Sequence, residues 1–190
     1  MKVLSWSRVV GMAALAAALA GCAGHRHGGP EGGMGSHGGG MMMPSAMATL
    51  SPTQGQTAGG QVMFHDMGGH LIAHARLTGL KPNAEHGFHV HEKGDCSAPD
   101  ATSAGGHFNP DNQPHGGQDV AHHAGDMPNV RTDASGNADV RIMLQGISVG
   151  GAKGDIVGRS VVVHAQPDDY RSQPAGNSGT RIACGVITRR

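Results

Sequence analysis

Short runs of β-branched or alternating residues, separated by clusters of Gly, Asn, Asp and Pro, restrict the fold of this chain more than any other feature. The clearest run alternates apolar and polar residues with a period of two, and its apolar face consists of Leu71, Ala73, Ala75 and Leu77. Similar runs cover residues 61–64, 87–91, 140–144, 161–163 and 182–187. Because no stretch of helical length carries a convincing helical period, the sequence predicts an all-β antiparallel sandwich or barrel.

Two long segments interrupt the predicted strands, one from Glu92 to Asn129 and the other from Ala165 to Thr180. Loops of such length inside a compact domain usually carry function. The chain from residue 48 to residue 190 is long enough for one hydrophobic core and too short for two. We therefore expect a single domain over residues 48–190 with two functional loops, and a hairpin turn at residues 133–137.

The first 21 residues have the pattern of a secretion signal, in which basic residues precede an apolar run too short to span a bilayer. Leu19-Ala20-Gly21-Cys22 then has the form of a bacterial lipobox, in which cleavage precedes a cysteine that becomes acylated. The alternative is an ordinary signal with a chance cysteine. We expect residues 1–21 to be a lipoprotein signal peptide and Cys22 to anchor the exported protein in the bacterial cell envelope, facing the periplasm or the cell surface.

Residues 22–47 predict a flexible tether between the lipid and the domain. They are rich in glycine and have no large apolar side chain except methionine, so they cannot bury enough surface to offset chain entropy. The tether also contains soft and borderline metal ligands, namely His25, His27, His37, Met34, Met41, Met42, Met43 and Met47. Capture of copper by these side chains is the alternative to a plain linker.

Charge and cysteine content narrow the partners and the compartment. Two of the 14 basic residues lie in residues 1–21, so the mature chain would carry 12 basic and 14 acidic residues. This weak negative charge argues against nucleic acid as a partner. With Cys22 lipidated, Cys96 and Cys184 form an even pair in an oxidising compartment, where a disulfide is the default and two buried thiols are the alternative.

A string of metal-ligating residues runs through the second half of the chain: His89, His91, His107, His115, His123, Asp126 and His164. On a strand, His89 and His91 project to one face while Phe88 and Val90 enter the core. The three histidines and the aspartate of the first long loop form a closed set of the kind that zinc accepts. Since His107 has two ring nitrogens, it can join this set to the other histidines. The string therefore predicts two coupled metals, one of them a redox-active copper.

Five motifs together resemble the copper/zinc superoxide dismutase family, in order, over about residues 48–188. They are His86-Gly87-Phe88-His89-Val90-His91-Glu92, Gly94-Asp95-Cys96, Ser103-Ala104-Gly105-Gly106-His107-Phe108-Asn109-Pro110, Val162-Val163-His164-Ala165 and the stretch from Gly176 to Ile187.

The resemblance implies an eight-stranded antiparallel Greek-key barrel and an enzyme that converts superoxide to oxygen and hydrogen peroxide by cycling copper between Cu(II) and Cu(I). It implies copper ligands at His89, His91, His107 and His164. It implies structural zinc ligands at His107, His115, His123 and Asp126, with His107 as the bridge. Asp168 would link His89 to His115, Arg181 would lie beside the copper and guide the anion, and Cys96 would pair with Cys184. His86 would have a structural role.

Two regions of the sequence limit what the family resemblance implies. His123 is preferred over the adjacent His122 because only His123 has the His-x-x-Asp spacing to Asp126. A homodimer is one possible assembly. The segment after Asp169 has none of the clustered glutamates and lysine of many eukaryotic members, so neither the steering of substrate nor the way in which subunits pair can be inferred from those members.

The competing class is a non-enzymatic periplasmic copper- or zinc-binding lipoprotein that buffers metal. Such a protein would need many histidines and methionines, a membrane tether and an oxidising compartment. It would not need a bridging histidine or an arginine beside copper. Single histidines outside the string, His65, His70 and His74, are expected to be solvated or satisfied by hydrogen bonds.

Overall fold

The computed structural model describes residues 45–151 and 153–190. The predicted signal peptide, the predicted lipidation site Cys22 and tether residues 22–44 lie outside them. The described residues form nine β-strands and a short 3-10 helix at Thr102–Ala104. The strands are β1 (Ala46–Pro52), β2 (Gly59–Asp66), β3 (Leu71–Thr78), β4 (Glu85–His86), β5 (Phe88–His91), β6 (Val130–Arg131), β7 (Ala138–Leu144), β8 (Ser160–His164) and β9 (Arg181–Arg189). In this part of the chain, no helix has the length and apolar character needed to span a bilayer.

Seven strands form one antiparallel sheet in the order β5-β8-β9-β1-β2-β3-β7, and β4 pairs with β6 in a small second sheet. The first three strands are sequential neighbours. The chain then passes from β3 to the opposite edge at β5, returns to lie beside β3 at β7, and crosses again to β8. Long connections of this kind characterise Greek-key topologies. The prediction of an all-β, antiparallel fold is confirmed, as a curled sheet that forms a half-barrel plus the small sheet.

The strand count differs from the predicted eight in one detail. Gly87 alone separates β4 from β5, so residues 85–91 are one extended segment with a break. An alanine Cβ at Gly87 would lie 2.8 Å from the Cβ and Oγ of Ser178, so the break is also a point of close approach between this segment and the second long loop. Counted as one interrupted strand, β4 and β5 bring the number of strands in the described residues from nine to eight.

The core lies on the concave face of the large sheet. The four apolar residues of the alternating run in β3 are all buried there, as their period of two predicts. Phe64 from β2, Phe88 from β5 and Ile187 from β9 pack into the same cluster and are fully buried.

The folded domain begins two residues earlier than predicted, because β1 starts at Ala46, inside the segment assigned to the tether. The strand pairs with β2 on one side and with β9 on the other. Pairing on both sides and burial of Ala46, Met47 and Ala48 compensate for the low strand propensity of alanine.

The predicted turn at residues 133–137 is present. The Asp133 N–H donates to the Asn137 carbonyl oxygen over 2.8 Å, and Gly136 has the positive φ of 76° that such a turn requires. It is not a hairpin turn, because β6 pairs with β4 whereas β7, on the other side of the turn, pairs with β3.

Both long loops have the predicted bounds. The first connects β5 to β6 and the second connects β8 to β9. Strand β8 between them is buried on both faces: Val161 and Val163 enter the main core, while Val162 packs against Ala101 and Ala104 of the first loop. The first loop therefore covers the convex face of the sheet at this edge, and this covered face holds the predicted metal ligands.

Candidate metal centre

Strand β5 presents two histidines to the covered face. Phe88 and Val90 are fully buried in the main core, so His89 and His91 project to the opposite side, as the alternation predicts. Both imidazoles are buried as well, because the two long loops lie over them. The His91 Nδ1 lies 2.9 Å from the Gly105 carbonyl oxygen, a contact that fixes the ring and directs Nε2 away from the backbone.

The first long loop returns to the free edge of β5 and brings His107 and Asp126 beside the strand histidines. Backbone bridges pair His91 with His107 and His89 with Asp126. The Phe108 N–H donates to the Val90 carbonyl oxygen over 2.8 Å, and the Val90 N–H donates to a carbonyl at residue 125 over 2.9 Å. The loop thus caps the sheet edge with its own backbone while it positions two ligands.

The predicted copper ligands form one buried group. One ligand atom each from His89, His91, His107 and His164 lies within 4.8 Å of the others. His164 ends strand β8, where a register shift follows Val163. Its Nε2 lies 3.4 Å from the Nε2 of His91.

The predicted zinc ligands form a second buried group, consisting of His107, His115, His123 and Asp126. The Asp126 Oδ1 lies 2.7 Å from the His107 Nδ1, 3.0 Å from the His115 Nδ1 and 3.3 Å from the His123 Nδ1. The Asp126 Oδ2 accepts the His123 N–H at 2.9 Å, so the aspartate is fixed by its own loop.

The choice of His123 over His122 is confirmed. His122 lies outside both ligand groups, and its Nδ1 instead lies 2.6 Å from the His123 carbonyl oxygen. His74, expected to be satisfied without a metal, is buried with its Nε2 2.6 Å from the Asp139 Oδ1.

Asp168 of the second long loop lies between one histidine of each group. Its Oδ2 is 2.8 Å from the His89 Nε2, and its Oδ1 is 2.9 Å from the His115 Nε2. All three side chains are completely buried. Carboxylates that hold the outer nitrogen of ligating histidines fix the ring and the tautomer, and the resemblance implied this position for Asp168.

The electrostatics of the centre favour neutral imidazoles on the copper side. Burial lowers the pKa of His164 to about 3. Burial also lowers the pKa of His107, to about 4, because its effect is larger than the opposing effect of the contact with Asp126. On the zinc side, burial opposes the charge of His115, but Asp126 and Asp168 outweigh it and raise the pKa of His115 to about 9. Burial also opposes the charge of Asp126, but its contacts with His107, His115 and His123 hold its pKa well below its usual range.

The donor set fits a copper and a zinc. Six buried ring nitrogens make no hydrogen bond of normal geometry among the described residues, and four of them belong to the ligand groups. These four are the His89 Nδ1 and His107 Nε2 of the copper group, and the His115 Nδ1 and His123 Nδ1 of the zinc group. Buried polar atoms in proteins are otherwise satisfied, so nitrogens left unpaired at a four-ligand cluster indicate metal ligands. Four imidazoles suit copper, and three imidazoles with a carboxylate suit a closed zinc site.

Arg181 lies at the first residue of β9, beside the copper group. Its Nη1 donates to the Ala101 carbonyl oxygen and its Nη2 donates to the Gly105 carbonyl oxygen, each over 2.6 Å. The guanidinium lines a cavity of about 310 Å³ together with His91, His107 and His164. The cavity lies over the copper group, and burial lowers the pKa of Arg181 from its usual value.

The disulfide between Cys96 and Cys184 is present, with the two Cα atoms 5.8 Å apart. It joins the first long loop to β9 and packs with Ala101, Ala104 and Val162 in one small apolar cluster. It thereby holds the loop segment whose carbonyls accept the Arg181 guanidinium.

Three side chains near the centre make contacts that the sequence did not predict. The His86 Nδ1 lies 2.8 Å from the His164 carbonyl oxygen, which supports the backbone of a copper ligand from strand β4. The side-chain amides of Asn129 and Gln173 bind the main chain of Asp168 and His115. No local sequence pattern indicates these contacts, because they join residues far apart in the chain through backbone atoms that every residue has.

Comparisons with known proteins agree with the geometry. The family model described as copper/zinc superoxide dismutase (SODC) matches residues 58–187. The protein named superoxide dismutase (Cu-Zn) 2 from Aquifex aeolicus strain VF5 is 44% identical over 147 residues, which cover 75% of this chain and 85% of that protein. The superoxide dismutase (Cu-Zn) of Caulobacter vibrioides is 39% identical over 159 residues, with the same two coverages.

A solved structure is also similar. The crystal structure of a double mutant of a SOD-like protein from Bacillus subtilis superposes with a TM-score of 0.69 at 39% identity, covering 75% of this chain and 96% of that one. Fold, sequence and both ligand sets lead to the same result: the chain belongs to the copper/zinc superoxide dismutase family, as an enzyme with an intact copper set and an intact zinc set.

Proposed function

We propose that this protein dismutates superoxide in the bacterial cell envelope, converting two superoxide anions and two protons to one oxygen and one hydrogen peroxide. The observation that carries the proposal is the position of His107, which belongs to both buried four-ligand groups. A protein that only stores metal has no need for a shared ligand. A redox enzyme does, because the shared imidazole couples a redox site to a fixed positive charge.

When bound, copper supplies one-electron redox chemistry and zinc supplies that fixed charge. The His107 Nδ1 faces Asp126 at 2.7 Å, and its Nε2 faces the copper group. Because burial lowers the pKa of His107 to about 4, the ring does not keep an extra proton at neutral pH. The Nδ1 is engaged with Asp126, whereas the Nε2 has no hydrogen-bond partner among the described residues, so the Nε2 is the atom at which a proton would be taken up and given to the product.

The chain also provides an entry route for an anion. The Arg181 guanidinium is the cationic group that lines the 310 Å³ cavity over the copper group. The two backbone carbonyls that accept its N–H groups hold it in place, and a guanidinium has five donors, so others are free for a small anion. We infer that superoxide enters through this cavity.

The direct test is dismutation by the full chain after metal removal and reloading with copper and zinc, with and without cyanide. His164→Ala removes a ligand of the copper group alone, so we expect activity to be lost while zinc stays bound. His74→Ala, a buried histidine outside both groups, is the control and should keep activity. A correctly metallated, oxidised wild-type protein without cyanide-sensitive activity would instead support a metal buffer.

The envelope location is proposed from the sequence alone, from residues 1–21 and the lipobox at Cys22. We propose that the lipidated Cys22 anchors the protein and that the tether lets the domain project from the membrane. Cys22→Ser should abolish labelling by a radioactive fatty acid and move the protein from the membrane fraction to a soluble one. Continued membrane association of the unlabelled variant would contradict the anchor.

A further inference from the structure

Two side-chain amides connect the long loops in opposite directions. Gln173 belongs to the second loop and binds the main chain of His115 in the first. Asn129 ends the first loop and binds the main chain of Asp168 in the second. His115 and Asp168 are themselves in direct contact, at 2.9 Å between Nε2 and Oδ1.

Each amide makes two hydrogen bonds to a single residue. The Gln173 Oε1 accepts the His115 N–H at 2.8 Å, and the Gln173 Nε2 donates to the His115 carbonyl oxygen at 2.8 Å. The Asn129 Oδ1 accepts the Asp168 N–H at 2.8 Å, and the Asn129 Nδ2 donates to the Asp168 carbonyl oxygen at 2.9 Å. A primary amide that binds both the N–H and the C=O of one residue fixes that residue as a neighbouring β-strand would.

The result is that His115 is held from the second loop at three points, its N–H, its carbonyl oxygen and its Nε2. The main chain of Asp168 is held from the first loop, while its two carboxylate oxygens face His115 and His89. The Asn129 N–H adds a bond of 2.7 Å to the Tyr170 hydroxyl, which ties the same two loops once more.

We propose that Gln173 and Asn129 form a reciprocal amide latch, in which they act as positioning residues that hold His115 and Asp168 in register and so slow the release of zinc. Neither amide faces a metal group directly. Both act on the backbone of residues whose side chains do, and groups that orient metal ligands commonly change metal affinity by about 10–100-fold. The latch rests on the assigned zinc group and does not require the dismutation reaction.

The test is the rate at which the zinc-loaded full chain releases zinc to a coloured chelator. We expect Gln173→Ala and Asn129→Ala each to accelerate release about tenfold, near the low end of that range because Gln173 is exposed. The double variant should release zinc much more slowly than the product of the two single accelerations predicts. Opening either side already frees the shared His115–Asp168 contact, so the second change adds little. Gln145→Ala, an exposed glutamine outside both loops, is the matched control and should release zinc at the wild-type rate.

A second measurement separates positioning from general stability. Co²⁺ placed in the zinc site reports ligand geometry through its visible absorption, and we expect both single variants, but not Gln145→Ala, to change this spectrum. Gln173→Glu keeps the acceptor for the His115 N–H and loses the donor, so its release rate should fall between those of wild type and Gln173→Ala. This surface variant also supplies the answer if an alanine variant does not fold.

Single-variant release within twofold of wild type, an unchanged Co²⁺ spectrum, or a double variant equal to the product of the single effects would overturn the latch. A wild-type protein that binds no zinc would overturn both the latch and the proposed function. Normal zinc binding with equal release rates in wild type and variants would overturn the latch alone.

Discussion

Arg181 shares an acceptor with a copper ligand, since the Gly105 carbonyl oxygen lies within hydrogen-bond distance of both the Arg181 Nη2 and the His91 Nδ1. The guanidinium is thus fixed relative to the copper group and faces the cavity over it. We predict that Arg181→Ile lowers the dismutation rate about tenfold at low ionic strength and weakens its dependence on salt, since electrostatic steering changes association rates by this order or more. Both metals should stay bound, because Arg181 is not a ligand.

The control for Arg181 is Arg171→Ile, which removes the same charge from an exposed arginine that lines a different cavity. It should change the rate little. The rate is measured by stopped flow over a range of salt concentrations, with metal content determined on the same samples. An Arg181→Ile enzyme with the wild-type rate at low salt would exclude the steering role.

At the residue scale, the sequence predicts the metal ligands well, but it predicts poorly the groups that orient those ligands. Histidine and aspartate are chemically distinctive, and the spacing of His123 to Asp126 was enough to choose it over His122. The groups that orient the ligands are mostly carbonyl oxygens, such as that of Gly105 for His91. Every residue has a carbonyl, so only the folded chain shows which one is used.

At the scale of elements, the second long loop depends on one glycine packed against the centre. Gly176 has a φ of +64°, and a Cβ at this position would overlap the Asp168 carboxylate and lie 2.7 Å from the His115 Nε2. We predict that Gly176→Ala displaces Asp168 and weakens zinc binding at least tenfold. Zinc affinity by chelator competition is the measurement.

Gly146→Ala is the matched control for this change, because Gly146 also has a positive φ, of +74°, and a Cβ there would meet nothing within 4 Å. Both variants carry a backbone strain of about 1 kcal/mol, but only Gly176→Ala collides with the centre. Equal zinc affinities in the two variants would show that backbone strain, and not the collision, is responsible.

The first long loop is fixed by the disulfide between Cys96 and Cys184, which joins it to β9. Reduction, or the pair of changes Cys96→Ser and Cys184→Ser, frees a loop closed over a sequence separation of 88 residues. The chain-entropy model gives about 4–5 kcal/mol for such a loop, so we predict a loss of that order in the free energy of unfolding. Urea denaturation of oxidised and reduced protein checks it, and a loss below about 1 kcal/mol would contradict it.

The strands were predictable to the extent that their side chains alternate. β3 and β5 show a clear period of two, and both long loops ended where the sequence placed them because Gly, Pro and Asn mark their ends. The first strand and β6 carry no such signal. β1 owes its place to two neighbouring strands, and β6 is only two residues long, so both depend on pairing that local sequence does not report.

On the scale of the whole molecule, the metal centre concentrates titrating groups beneath two loops. Burial holds the pKa of His107 at about 4 and that of His164 at about 3, below the ordinary value of 6.5. These groups bind protons more strongly in the unfolded chain, so in metal-free protein they oppose folding as the pH falls below 6.5. Contacts with the ligating histidines keep the pKa of Asp126 low, so its stabilisation is also lost on acidification.

His115 acts in the opposite direction. Its pKa is raised to about 9 by Asp126 and Asp168 in spite of burial, so its stabilisation is complete below 6.5 and is lost as the pH rises towards 9. The metal-free protein should therefore be most stable near neutral pH and lose stability on both sides. On the acid side, the pKa of His107 falls from 6.5 in the unfolded chain to about 4 in the folded one. This difference alone corresponds to a loss of about 3 kcal/mol in the free energy of unfolding.

The measurement is the urea midpoint of metal-free protein at pH 4.5, 6.5 and 8.5, chosen on both sides of the ordinary histidine pKa. His107→Gln removes one of the groups that resist protonation, so its midpoint should fall less between pH 6.5 and pH 4.5 than that of wild type. Zinc and copper occupy the same ring nitrogens that protons would take, so the metallated protein should lose metal before it unfolds in acid. A metal-free midpoint that rises on acidification would mean that these histidines are not buried in the neutral form.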